Sequence, residues 1–290
     1  MALPAAYLGV ILIWSTTPLA IQWSSAGWGF LVGLSGRMLL GTLLCIALIP
    51  LLRQPLPWHR AARRTYAAAG VGVFGAMFCV YWGAQFLPSG LIAVIFGLNP
   101  LLTGFIASLW LKERGLTPGR LLGIALGIAG LLVIFNADVV QAGHAWLGAL
   151  AVFCSVLLHS LSAVWVKRIG AGLSGLTVTS GSLISMLPLF VLSWALLDGE
   201  PPRVISLQAG LALLYLGLFG SVLGFTLYYY LLKHLEANRV ALITLITPVL
   251  ALLIGQWLNG EQIAVVVWIG SGLIIAGLAS HLWVDRLLVR

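Results

Sequence analysis

The sequence predicts an all-α integral membrane protein, ten transmembrane helices in two inverted five-helix repeats. Three observations lead there. The first is composition: of 290 residues, 61% are hydrophobic and only 8% charged. A soluble domain carries about 25% charged residues, so this chain cannot cover a water-facing surface. The second is an internal repeat. Pro100 precedes Glu113 by thirteen residues, Pro248 precedes Glu261 by the same interval, and the two pairs lie 148 residues apart. The third is the alternation of charge between the apolar runs.

Apolar runs long enough to cross ~30 Å of hydrocarbon fall at about 5–24, 29–52, 65–86, 89–111, 118–136, 143–166, 173–197, 207–232, 237–258 and 263–284. The first five form one repeat, residues 1–142, and the last five the other, residues 143–290. The loops between them are short and rich in Gly, Pro and Ser. The first run lacks a basic segment before it, so it reads as a span and not as a cleaved signal peptide. It carries Trp14-Ser15-Thr16-Thr17-Pro18, a polar stretch with a proline that bends the helix. The second holds Arg37, about eight residues from its outer end and so ~12 Å deep. The third presents Phe78, Tyr81 and Gln85 on one face. In the fourth, Phe96, Asn99 and Thr103 share a face beside Pro100, which cannot donate to the Phe96 carbonyl. The fifth has Gly123, Gly127 and Gly130, small residues that let helices approach in lipid.

The sixth run aligns with the first, Leu147-Gly148 on Leu8-Gly9, and places Ser155, His159 and Ser162 together. The seventh has no basic partner for Arg37. The eighth carries Thr226, Tyr229 and Lys233 where the third has Phe78, Tyr81 and Gln85. The ninth carries Thr244, Thr247 and Ala251 beside Pro248, matching Phe96, Asn99 and Thr103. The tenth repeats the glycines at Gly270, Gly272 and Gly277. Ile128-Ala129-Gly130-Leu131 also returns as Ile275-Ala276-Gly277-Leu278. An odd number of spans per copy sets the two copies in opposite orientations, a common transporter plan with the site between them.

With the N-terminus in the cytoplasm, thirteen of the 15 Lys and Arg residues fall on the inner side and Arg203 alone falls outside. That bias predicts a multi-pass protein of the cytoplasmic (inner) membrane with both termini cytoplasmic. The formal charge of +8 is then answered by anionic lipid, and no nucleic-acid partner is expected. Cys45, Cys79 and Cys154 lie in apolar runs without CxxC spacing and read as packing residues. No metal site or cofactor is expected.

Taken together, the ten-span duplicated layout, Trp14-Ser15-Thr16, Arg37 and the two Pro-to-Glu helices resemble the EamA family of the drug/metabolite transporter superfamily. The resemblance covers nearly the whole chain. It implies transport by alternating access, often export of amino acids or other small metabolites. The chain departs from symmetry at Arg37 and at Asn99, which Thr247 replaces, so a central site would be asymmetric.

The candidate substrate-binding residues are the polar and aromatic groups within spans: Trp14, Thr17, Arg37, Phe78, Tyr81, Gln85, Phe96, Asn99, Ser155, His159, Tyr229, Thr244 and Thr247. Pro18, Pro100, Pro248, Glu113 and Glu261 are candidates for hinges and gates. An intramembrane charge is expensive and points to function. Arg37 suits a carboxylate, and the aromatics suit an apolar side chain. Should protons be coupled, His159 is the group of choice, since histidine titrates near neutral pH. The bland readings stay open: snorkelling for Arg37, a hydrogen-bonded core histidine, an aromatic packing stripe and kinks satisfied by neighbouring helices.

A transporter of small metabolites, amino acids favoured, fits best. Export of organic cations through a cage of Trp14, Tyr81 and Tyr229, a channel and a lipid flippase are the alternatives. Ser155 and His159, four residues apart, could in principle be nucleophile and base. Without HExxH or a pair of intramembrane aspartates, we expect no enzyme. No P-loop is present to supply ATP drive. The expected partners are a small-molecule substrate and the lipid bilayer, with a homodimer seam along the glycines as a further reading.

Overall fold

A computed structural model describes residues 2–111, 118–135, 143–199 and 206–288, and among the described residues all regular structure is helical. In chain order the helices are α1 (Leu3–Ser25), α2 (Phe30–Leu51), α3 (Arg60–Gly83) and α4 (Ser89–Trp110), then α5 (Pro118–Phe135). There follow α6 (Ala145–Ile169), α7 (Gly175–Leu197), α8 (Leu207–His234) and α9 (Ala237–Asn259), and finally α10 (Val265–Leu288). Eight of them are long and apolar enough to cross a membrane; α5 and α10 contribute shorter apolar stretches at Ala125–Ile134 and Val265–Gly277. α3 starts five residues earlier than the expected span. His59 caps it, its Nδ1 accepting from the Ala62 amide at 3.3 Å, so Arg60, Arg63 and Arg64 belong to its first turns.

The two halves of the chain interlock. α1 packs against α8 and α9, α6 against α3 and α4, α2 against α7, and α5 against α10. Small residues make these approaches close, as expected where lipid gives no hydrophobic drive. A Cβ added at Gly123 would lie 2.7 Å from the Gly277 carbonyl oxygen, and one at Gly130 would lie 2.5 Å from that of Gly270. Gly127 is tight against Leu101, and only Gly272 meets open space. Five of the six glycines read as a seam are therefore occupied within the chain and cannot serve a second copy at the same time.

Two features depart from straight helices, each in both halves. α3 is π-helical over Val71–Ala76 and α8 over Leu216–Leu223. α4 stops at Phe96 and restarts at Asn99, while α9 passes from Ala237–Ala241 through a 3₁₀ turn, Leu242–Leu245, and restarts at Thr247. The expected proline kinks are thus breaks, with Pro100 and Pro248 in the first turn of the restarted helices. The physical reason is local. The Gly97 amide closes the first segment on the Ala93 and Val94 carbonyls at 3.1 and 2.9 Å. A proline in a first turn loses no helical hydrogen bond and has its φ already set, so the ~3 kcal/mol of an interior proline does not apply. Pro100→Ala should accordingly leave the break in place and change stability by less than ~1 kcal/mol. Thermal unfolding of the purified variant checks this; a large shift either way would make the proline the cause of the break.

Candidate functional site

Seven helices meet around a cavity of about 70 Å³. α1 contributes Trp14, Thr17 and Pro18, α2 contributes Arg37, and α3 contributes Met77 and Val80. Phe96 comes from α4, His159 from α6, Phe225 from α8, and Thr244 and Thr247 from α9. The break in α9 explains how Thr244 and Thr247 both reach it, because the chain turns between them. α1 stays helical through Pro18. Before that proline, Ser15 and Thr17 donate to the Ile11 and Ile13 carbonyls, each at 2.7 Å, the back-bonding that bends helices.

Arg37 is 1% exposed. Its Nε donates to Ser221 Oγ at 2.8 Å, and its Cζ lies 6.0 Å from the centre of the Tyr81 ring. Its Nη1 is buried and has no partner. Among the described residues no carboxylate neutralises it. Gly220 leaves the room it needs, since a Cβ there would stand 3.0 Å from Nη2. His159 is buried with its ring centre 5.4 Å from Trp14, 5.1 Å from Tyr228 and 6.3 Å from Phe96. Its Nε2 and the Tyr81 hydroxyl are also buried without a partner. Buried polar atoms are almost always satisfied, so two open ones on residues lining one cavity, Arg37 Nη1 and His159 Nε2, mark a place for a polar guest or water.

Of the residues singled out from sequence, Trp14, Thr17, Arg37, Phe96, His159, Thr244 and Thr247 come together here, with Tyr81 beside Arg37. The others sit elsewhere. Phe78 packs on Phe30 and Phe74. Gln85 lies past the end of α3, exposed, donating to the Trp82 carbonyl. Asn99 Oδ1 accepts from Ser160 at 2.8 Å and Thr103 at 3.2 Å, tying the α4 break to α6. Ser155 donates to the Ala76 carbonyl at the end of the π segment, 2.7 Å away, and so is not hydrogen-bonded to His159 as a nucleophile would be. Tyr229 reaches toward the Ala69 carbonyl and lines a different cleft with Lys167 and Lys233. The cage of Trp14, Tyr81 and Tyr229 is thereby split, and Arg37 lies against its middle member.

Sequence reasoning missed Met77, Val80, Phe225, Tyr228 and Ser221. Tyr228 opens the run Tyr228-Tyr229-Tyr230, where alignment of the repeats favours its neighbour Tyr229. Ser221 carried no signal.

At one end of the bundle Glu261 caps α4. Its Oε1 accepts from the Ser89 amide at 3.1 Å and the Ser89 hydroxyl at 2.6 Å, and its Oε2 accepts from the Gly90 amide at 3.2 Å. A carboxylate is favoured on these first amides by their free N–H groups and the helix dipole. Asn259 joins the cluster, donating to Glu261 and accepting from Trp23 Nε1 at 3.0 Å, and Gln22 donates to the Leu87 carbonyl at 2.6 Å. α1, α4 and α9 are thus pinned together. Glu113, the repeat partner of Glu261, lies outside the described residues.

Comparison with known proteins agrees with this architecture. The profile of the EamA-like transporter family matches residues 4–136 and again 146–282. The inner membrane transporter YedA of Escherichia coli strain K12 is 27% identical over 93% of this chain and 87% of its own length. A protein of Salmonella typhimurium named "Probable amino-acid metabolite efflux pump" is 31% identical over 71% of each chain. A solved crystal structure superimposes with a TM-score of 0.70 at 23% identity, covering 97% of this chain and 98% of that one, which establishes a shared fold. The chain belongs to the EamA-like transporter family and is a multi-pass membrane transporter.

Proposed function

We propose that this transporter exports small metabolites with an anionic headgroup, amino acids foremost, across the cytoplasmic membrane by alternating access. The observation that carries the reading is Arg37: a buried guanidinium with one nitrogen free, no neutralising carboxylate among the described residues, and a cavity in front of it. A substrate carboxylate supplies the missing charge, and Trp14, Phe96 and Phe225 receive the apolar part. The Salmonella relative's name is in keeping with that class.

The transport cycle we infer uses ten spans in two inverted halves, with both termini cytoplasmic. In support, the family profile matches each half separately, and breaks in α4 and α9 and π segments in α3 and α8 recur at equivalent places. The cavity of about 70 Å³ is well below the ~300–1,000 Å³ of ordinary ligand pockets. Substrate therefore enters only as helices move apart, which is what alternating access provides.

The test is counterflow in proteoliposomes. Vesicles loaded with unlabelled neutral amino acids should accumulate labelled ones, saturably, while lysine and choline do not compete. Flux without saturation or exchange would indicate a channel, and competition by choline would indicate the cation reading. Reporter fusions at Arg290 and near Glu200 should report opposite sides of the membrane, with Arg290 cytoplasmic; agreement between them would sink the span count.

A further inference from the structure

Away from the cavity, where α3 begins and α6 ends, Arg60, Arg64 and Arg168 line one groove of about 720 Å³. All three are exposed. Among the described residues none of them is paired with a carboxylate, whereas Arg239 has Glu236 at 3.3 Å. Arg60 and Arg64 are four residues apart, so like charges share one helix face. They also occupy the first turns of α3, the end of a helix that disfavours cations. Their placement raises electrostatic energy that an anion from outside would lower. Arg168 lies over the Trp110 ring, 5.5 Å from its centre, which brings the end of α4 to the same place.

The remaining walls say what kind of anion. Ala67 and Trp165 are exposed, and Trp165 is 40% so. Along α6, Leu150, Leu157 and Arg168 recur at intervals of seven and eleven, so the groove continues onto an exposed apolar stripe of that helix. Exposed tryptophans and basic residues together characterise the depth of lipid headgroups. We propose that this groove binds the phosphate of an anionic phospholipid, with the three guanidiniums as bidentate donors and the lipid's acyl chain along Trp165 and Leu157.

The experiment uses the full-length protein in a neutral detergent, with melting temperature as the readout of binding. The probes are dioctanoyl phosphatidylglycerol, dioctanoyl phosphatidylcholine and inorganic phosphate. Phosphatidylglycerol should raise the melting temperature saturably, and the other two should not at the same concentration. The triple variant Arg60→Gln, Arg64→Gln, Arg168→Gln should lose the shift, whereas Arg239→Gln should keep it. Should the glutamine variant fail to insert, the triple lysine variant decides: it keeps the charge but loses the fork, and half-maximal shift should need at least tenfold more lipid. Equal shifts with phosphatidylcholine, a shift with inorganic phosphate alone, or wild-type affinity in either triple variant would overturn the proposal.

Discussion

Arg37→Gln should abolish exchange while the protein still folds, and the variant should melt at or above the wild-type temperature. Both halves of that expectation come from the same geometry. In the structure Arg37 is a charge removed from water with one neutral hydrogen-bond partner, Ser221, and an idle Nη1. Burying an ion so poorly compensated costs several kcal/mol even after relaxation. Glutamine is shorter, retains a donor for Ser221, and carries no charge, so the empty protein gains. The loaded protein loses. Removing one partner of a desolvated, hydrogen-bonded charge pair costs about 2–5 kcal/mol, roughly thirty- to several-thousand-fold in substrate binding. Arg37→Lys should retain part of the activity, since an ammonium supplies the charge without the planar fork. Counterflow and thermal unfolding on each variant give the answer. Glutamine variants that lose flux and stability together would make Arg37 a structural residue, and full flux would remove it from the site altogether.

Much of this was legible in the sequence because membranes leave few choices. Backbone groups in hydrocarbon must bond internally, so long apolar runs in a chain with 8% charge are helices. Arg37 stands out because a cation that deep in an apolar run is expensive. What could not be read was the direction each side chain faces. Phe78 and Tyr81 share one face of α3 while Gln85 lies past its end, and only tertiary packing shows that the cavity lies on the Met77 and Val80 side. The π segments add to this, since an i→i+5 turn rotates everything after it relative to an α-helix, and no residue pattern in Val71–Ala76 or Leu216–Leu223 announces one. Asn99 lies off the cavity lining for another reason. It sits where α4 breaks, and a break needs a polar tie more than the cavity needs a ligand group; Ser160, distant in sequence, provides the partner.

Locking the Glu261 end of the bundle should stop transport reversibly. In the structure the start of α4 and the last turns of α9 touch: a Cβ at Gly255 would lie 2.9 Å from Ser89 Oγ, which puts sulfurs at the two positions within reach of a disulfide. The same Cβ would crowd Glu261 Oε2 at 2.6 Å, but that is the end of a flexible side chain and can turn aside. With Cys45, Cys79 and Cys154 replaced by alanine, Ser89→Cys with Gly255→Cys should oxidise readily. The oxidised protein should show no counterflow, and reduction should restore it. The reason is that substrate cannot pass a cavity this small unless helices separate, and here the start of α4 is held to the end of α9 by a carboxylate on two amides and a hydroxyl. Charge-assisted bonds of that kind are about twice as strong as neutral ones, yet they break without covalent chemistry, as a gate requires. Glu261→Gln should push the other way: glutamine presents an N–H₂ group toward amides that need an acceptor, the latch weakens, and Ser89→Cys alone should react faster with a membrane-impermeant thiol reagent. An oxidised, cross-linked protein that exchanges at the wild-type rate would show that this end stays shut throughout the cycle, and the moving helices would then have to be sought around Pro18.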